Sequence, residues 1–366
     1  MDNHIDNSLA LVVLHSSGLT HRDIHNLFKS HENYSDVLVD FLWEKKTPTP
    51  WMTDDRRNKI LEKLATVEIP KLEQILRSKN IDIITVGSEQ YPPKLRTIKQ
   101  APYLLYVRGT LREERKMLAV VGSRRSTSYG RKILDTMIPD LVRAGCGIVS
   151  GGAYGIDAMS HEITVASGGY TISVFGSGVD LFYPVENTRL FESIIASGWA
   201  LVSIFPIGTE PEPYNFPIRN EIVAALSDGI IIPEAAAKSG TLITAQLALD
   251  HGRDVFAAPG DIFRETSMGT NWLIARGEAK CISSATDILE EYFPNLTSTT
   301  ISMFAEKVWN DPDQQTIYNI IIDGYNTPDS IGQHSDYTID MITMTLTMLE
   351  IDGHIRLGAG GKYEIL

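Results

Sequence analysis

From about residue 81 to residue 295 the chain alternates short, nearly continuous apolar runs with segments of helical periodicity, and this pattern restricts the fold more tightly than anything else in the sequence. The runs are Ile81–Val86, Met117–Val121, Gly147–Ser150, Thr171–Phe175, Leu201–Ile204, Ile230–Pro233 and Val255–Ala257. A strand that is apolar at successive positions has both faces buried. Separated by helices of about 10–15 residues, such strands form a parallel sheet covered on both sides. Right-handed crossovers then give an α/β, doubly wound, mostly parallel sheet whose ligand crevice lies beyond the carboxyl ends of its strands.

The flanks read differently. Residues 1–80 predict a small helical domain. Thr20 and Asp23 have the spacing of a capping box, and Ile24, Leu27 and Phe28 follow at helical spacing. Ser35 can cap a helix carrying Val37, Leu38, Phe41 and Leu42; residues 45–51 are a Pro-broken connection. Ile60, Leu61 and Leu64, then Leu72, Ile75 and Leu76, continue the helical pattern. The polar run 295–300 reads as a linker before a third domain, 301–366. That domain predicts a helix near 311–322, a turn at 326–328, a short helix, a longer helix holding Met341, Leu346 and Leu349, and a hairpin turning at 358–361. Helices closed by a small hairpin suggest a winged-helix-like module.

Charge narrows the function. Against 46 acids stand 33 Lys and Arg, a net of −13, which argues against indiscriminate coating of duplex DNA. The distribution is uneven. Residues 112–132 hold Arg112, Arg115, Lys116, Arg124, Arg125, Arg131 and Lys132 against two acids, whereas residues 301–366 hold ten acids against three bases. The acidic last domain therefore suits contact with protein better than with DNA. Cys146 and Cys281 share no ligand spacing, so neither a disulfide framework nor a zinc site is expected. No apolar run reaches the ~18 residues a membrane span needs. Leu9–Leu14 is too short, and lacks the basic flank, for a secretory signal. The expected location is the reducing cytoplasm.

The informative loops each follow an expected strand. In AVVGSRRSTSYG, Gly122 allows a tight turn, Ser123, Arg124 and Ser126 stand where a helix start would favour an anion, and Arg124 and Arg125 add positive charge that can pair with phosphate oxygens. This is neither a dinucleotide fingerprint nor a Walker A loop. In SGGAYGIDAMSH, Gly151 and Gly152 let backbone approach a ligand; Asp157 has no partner fixed by spacing, and His161 reads as a ligand, a base or a satisfied helix residue. A third glycine pair lies in FGSGVDLFYPVEN, with Pro184 preceding a helix. In NFPIRNE, Phe216 can stack a base or serve as a hydrophobic staple, beside Arg219 and Asn220. Lys238, Ser239, Gly240 and Thr241 open a further helix with a cation and a hydroxyl, and Gly269, Thr270 and Asn271 are expected to open another. Several anion loops on one sheet edge suit a multi-phosphate ligand, a strand of nucleic acid. No paired carboxylates, metal cluster or activated nucleophile accompany them, so no catalytic residue, metal or cofactor is assigned.

The segments YPPKL (91–95), APYLLYVRG (101–109), VVGSR (120–124), SGGAYGID (150–157), FPIRN (216–220), EAAAKSGTLITA (234–245), PG (259–260) and GTNWLI (269–274) fall in the order of the DNA-processing protein A (DprA/Smf) family, which the chain resembles over residues 81–295. The resemblance implies an extended Rossmann-like fold, a SAM-like N-terminal domain and a winged-helix tail. It further implies a bacterial cytosolic homodimer that binds single-stranded DNA without sequence preference and loads the recombinase RecA in natural transformation, not an enzyme. On the matching positions Gly122, Ser123, Arg124, Lys238, Ser239 and Gly240 would hold phosphate, Phe216, Arg219 and Asn220 would line the same pocket, and Gly151 and Gly152 would permit close approach. An alternative, suggested by Gly240-Thr241-Leu242 at a helix start, is a nucleotide-binding or nucleotide-cleaving enzyme of a related Rossmann-like family. Three positions depart from the family pattern: Tyr154 where Arg is frequent, Glu221 where a second Arg is frequent, and Pro233 where Val is usual. One lost cation and one gained anion imply a weaker hold on DNA, or a stacking role for Tyr154.

Overall fold

All seven apolar runs become strands, and two strands that periodicity did not reveal join them in one nine-stranded sheet. The structure, a computed structural model, describes residues 7–28, 51–112, 116–293, 311–322, 324–358 and 361–365. The chain divides into two compact units, Met1–Ile301 and Ser302–Leu366.

In the first unit the strands are β1 (Ile81–Thr85), β2 (Leu104–Arg108), β3 (Lys116–Val120), β4 (Cys146–Ser150), β5 (Thr171–Phe175), β6 (Ala200–Ser203), β7 (Gly229–Ile232), β8 (Asp254–Ala257) and β9 (Lys280–Cys281). Their order is β1-β2-β6-β5-β4-β3-β7-β8-β9. From β6 to β9 every pairing is parallel, whereas β2 runs antiparallel to both β1 and β6. The unanticipated strands are β2, an apolar run just after Pro102 with no helix between it and β3, and β9, two exposed residues too short to show any period.

Alternation along the strands divides the core. Leu118 and Val120 on β3 face one side with Ile148 and Ile231; Met117, Ala119 and Val121 face the other with Val149, Ile230 and Ile232. The first face is covered by α6 (Ser128–Arg143), α7 (Ile156–Ala166) and α12 (Thr286–Tyr292), and the second by α5 (Pro93–Arg96), α9 (Asn215–Leu226) and α10 (Gly240–Asp250). A third cluster joins α8 (Thr188–Ala196) and the N-terminal helices α1 (Asn7–Ser16), α2 (His21–Phe28), α3 (Asp54–Ala65) and α4 (Ile69–Ser78) to Leu104, Tyr106, Phe175 and Leu201. The capping box forms: the Thr20 N–H donates to Asp23 Oδ2 at 2.8 Å, and the Asp23 N–H donates to Thr20 Oγ1 at 3.2 Å. The helix expected after Ser35 and the linker at 295–300 lie outside the described residues.

The second unit holds α13 (Pro312–Ile322), α14 (Pro328–Gln333), α15 (Ile339–Ile351) and the antiparallel pair β10 (Ile355–Leu357) and β11 (Tyr363–Ile365). Ile317, Ile331, Ile342, Leu346 and Ile355 form its core. The expected turn at 326–328 is an N-cap, with Thr327 and Ser330 bonded reciprocally. Among the described residues no helix is long and apolar enough to cross a membrane.

Candidate nucleic-acid interface

Strand order sets the site. After β3 the chain moves outward through β4, β5 and β6 on one side, and then returns to place β7 on the other side of β3. The loops leaving the carboxyl ends of β3 and β7 therefore diverge, and a crevice opens between them. It is a cleft of about 530 Å³. Of the residues expected in a site, Gly122, Ser123, Arg124, Arg125, Phe216, Arg219, Asn220, Lys238, Ser239, Gly240 and Thr241 line it; Gly151 and Gly152 do not.

The β3 loop differs from expectation in one respect. α6 begins at Ser128, with Thr127 as its N-cap, so Ser123 and Arg124 precede the helix instead of opening it. The helix terminus is already supplied with an anion. Buried Glu234 accepts from the Thr127 N–H at 2.9 Å and the Thr127 hydroxyl at 2.6 Å, and a Cβ at Gly130 would collide with the same carboxylate. What the loop offers a ligand is the side-chain charge of Arg124 and Arg125, both exposed. Gly122 is required by packing: a Cβ there would lie 2.6 Å from Ile156 Cγ1.

Behind the cleft lies a buried set of polar groups. Arg219 is only 4% exposed. Its Nη1 donates to the carbonyls of Gly151 and, at 2.8 Å, Val174, so the guanidinium ties together the carboxyl ends of β4 and β5. A Cβ at Gly151 would occupy the guanidinium's place, and one at Gly152 would strike Phe191 and the Ser173 hydroxyl. Both glycines therefore make room for the protein's own side chains, and neither lines the cleft. Burial lowers the Arg219 pKa to about 10, against the opposing pull of Asp157. Asp157 accepts from the Gly151 and Ala153 N–H groups; burial raises its pKa, while Arg219 and Arg124 act in the other direction. His161 is wholly buried, with Nδ1 2.7 Å from Thr171 Oγ1, and burial lowers its pKa to about 3, aided by Arg219. It is a helix residue bonded through one ring nitrogen in the sheet interior, out of reach of a ligand in the cleft.

The β7 loop carries exposed Lys238 beside Ser239, the N-cap of α10, whose hydroxyl accepts from the Thr241 N–H at 3.1 Å. Phe216 lies in the first turn of α9, its ring 5.6 Å from the Arg124 guanidinium and 5.7 Å from that of Arg219. Among the described residues Arg124, Arg125 and Lys238 have no carboxylate partner, whereas Arg131 pairs with Asp135 and Glu162, and Lys94 with Asp228. Two acids also line the cleft, buried Asp157 and exposed Glu265.

The loop expected at Gly269–Asn271 is not a helix start. These residues lie within α11 (Glu265–Ala275), where Gly269 lets the helix press on the Ala235 and Ala236 carbonyls and Asn271 exchanges two hydrogen bonds with Gly260. The departures from the family pattern also find places. Glu221 faces His251 at 3.9 Å, outside the cleft. The Tyr154 hydroxyl donates to Glu186, which raises its pKa to about 12. Two contributors escaped the sequence reading. Glu234 left a trace, an acid set between Pro233 and three alanines; Tyr183 left none, because its approach to Phe216 spans 33 residues.

The family profile described as DNA recombination-mediator protein A matches residues 82–293. The DNA processing protein DprA of Bacillus subtilis is 40% identical over 227 residues, 61% of this chain and 76% of that protein. The Smf protein of Escherichia coli is 35% identical over 298 residues, 79% of each. Among solved structures, DprA from Streptococcus pneumoniae superposes with a TM-score of 0.65 at 32% identity, over 78% of this chain and 97% of that one. DprA from Helicobacter pylori, described with a single-stranded DNA binding mode, gives 0.53 at 29% identity, over 59% of this chain and 98% of that one.

Proposed function

This chain belongs to the DNA recombination-mediator protein A family, and on that premise we propose that it binds single-stranded DNA without sequence preference and passes it to the recombinase RecA. The observation that carries the reading is the trio Arg124, Arg125 and Lys238: exposed cations on two loops of one cleft, without carboxylate partners among the described residues, beside the aromatic ring of Phe216. Cations left unneutralised at the mouth of a cleft attract a polyanion and release its counterions when it binds. Arginine adds bidentate grip on phosphate oxygens. Gly122, Ser123, Asn220, Ser239, Gly240 and Thr241 complete the wall, while Arg219 ties the strand ends behind it through the Gly151 and Val174 carbonyls, and Gly151 and Gly152 leave the room this packing needs.

The role is binding, not bond breaking. The two buried carboxylates nearest the cleft serve the loops, Asp157 accepting from backbone N–H groups and Glu234 from Thr127. Homodimerisation and a winged-helix role for the acidic second unit are parts of the same proposal and rest on the family.

A gel shift with labelled oligo-dT tests it. Wild type is expected to bind with an affinity that falls steeply with salt. Arg124→Ala and Lys238→Ala weaken binding, and each reduces the salt slope by about 0.7 for every phosphate it no longer neutralises. Salt-independent binding, or none, rejects the proposal. Filament assembly by RecA on oligo-dT, followed with and without the protein, tests the second half: no acceleration removes the loading role.

A further inference from the structure

A row of aromatic side chains leads away from the cleft. It begins with Phe216, held between the Arg124 and Arg219 guanidinium groups and set directly against the backbone at Gly176, where a Cβ would lie 3.0 Å from the ring. The Tyr183 ring follows, 5.8 Å from Phe216 and tilted by 42°. Tyr154 is within electrostatic reach of Tyr183, and its hydroxyl donates to Glu186. Tyr214 immediately precedes α9, two residues before Phe216. Buried tyrosines are ordinary, but these are 41% (Tyr154), 43% (Tyr183) and 68% (Tyr214) exposed. The Tyr183 ring lies beside Phe216 and within electrostatic reach of Tyr154, and exposed rings gathered in this way mark a contact surface. Charge gives the row a direction. Glu186 stands at its Tyr154 end, and the cations stand at its Phe216 end. A phosphate is attracted to the second place and repelled from the first; an uncharged base is indifferent to the carboxylate and gains by stacking.

We propose that Tyr154, Tyr183 and Tyr214 extend the site as a base-stacking strip, taking the bases of nucleotides adjoining those whose phosphates lie against Arg124, Arg125 and Lys238. This inference rests on the proposed function. It assigns the two edges of a strand to two surfaces, and it restricts the ligand to single strands, because a duplex hides the base faces the strip requires. It also gives Tyr154 a role of its own, as a ring in place of a cation.

Fluorescence anisotropy with the full chain and two labelled probes of equal length, oligo-dT and an abasic oligonucleotide, tests it. Wild type is expected to favour oligo-dT over the abasic strand by tenfold or more. Tyr214→Ala and Tyr154→Ala each reduce oligo-dT affinity about tenfold, leave abasic binding and the salt slope unchanged, and so compress the preference; Tyr154→Phe, which keeps the ring and loses the bond to Glu186, binds like wild type. Thermal melts should be unchanged, since the rings are exposed. A wild type that binds both probes equally, alanine variants that keep the full preference, or a Tyr154→Phe as weak as Tyr154→Ala overturns the strip while leaving the phosphate cleft standing. Failure of wild type to bind either probe overturns the proposed function itself.

Discussion

Arg124 and Arg219 approach the same Phe216 ring at nearly the same distance, 5.6 and 5.7 Å, yet they belong to opposite kinds of environment. The Arg124 guanidinium is exposed and makes no ion pair among the described residues, Asp157 acting on it only from a distance. That of Arg219 is buried, bonded to two strand-end carbonyls and balanced by Asp157. The rim of the cleft and the layer behind it thus use the same chemical group for different ends. A charge in water costs little to maintain and is available to a ligand. A charge out of water must be satisfied by the protein, and once satisfied it fixes geometry and has little left to offer.

The contrast breaks most visibly if Arg219 can be removed cheaply. Arg219→Ala leaves Asp157 buried without its cation and frees two carbonyls, and is expected to cost about 3–5 kcal/mol in urea denaturation. A loss below about 1 kcal/mol would place Arg219 with the rim.

Acid sharpens the comparison next. The His161 pKa is about 3 in the folded protein against an ordinary 6.5, so the unfolded chain accepts a proton that the folded chain refuses. Its contribution is complete above pH 6.5 and diminishes as pH falls towards 3, by up to about 1.4 kcal/mol per unit. His15, lowered by burial and then by His21, acts in the same direction; Asp157, raised by burial, opposes it at the lower end. Melting temperatures of wild type should therefore drop between pH 6.5 and 4.5, and those of His161→Asn should drop less steeply. Parallel curves would remove His161 from the account.

Ser239 stands between the two layers. As N-cap of α10 it is expected to contribute about 1 kcal/mol, read as a lower melting temperature in Ser239→Ala. The smallest effects on stability belong to the rim. Arg124→Ala, Arg125→Ala and Lys238→Ala should each stay within about 0.5 kcal/mol of wild type while altering salt dependence of binding. A rim variant that unfolds the protein would erase the distinction.

The fold is largely legible in the sequence because its signals are local. Seven strands show themselves as apolar runs, and the Thr20–Asp23 cap shows itself by spacing. β2 and β9 do not, one being an antiparallel strand outside the strand–helix alternation and the other being two residues long. Eleven of the thirteen expected site residues line one cleft, because turns after parallel strands must gather on one edge. The glycines show what spacing leaves out. Gly151 and Gly152 read as openings for a ligand, and Gly269 as a helix start; in the structure each accommodates a group from elsewhere in the chain: Arg219, Phe191 and the Ala235 carbonyl. A glycine in sequence reports that something comes close, without saying what.

The sequence by itself determined the strand and turn positions, the parallel sheet and the crowding of glycine, hydroxyl and cationic residues at its carboxyl edge, because backbone geometry and hydrophobic period are set within a few residues. Only the tertiary structure decided which charges are available. Glu234 reaches Thr127 across 107 residues and fills the terminus of α6, and Arg219 reaches Gly151 across 68 and withdraws into the sheet. Availability depends on what lies within a few ångströms in space, and folding brings those neighbours from distant parts of the chain.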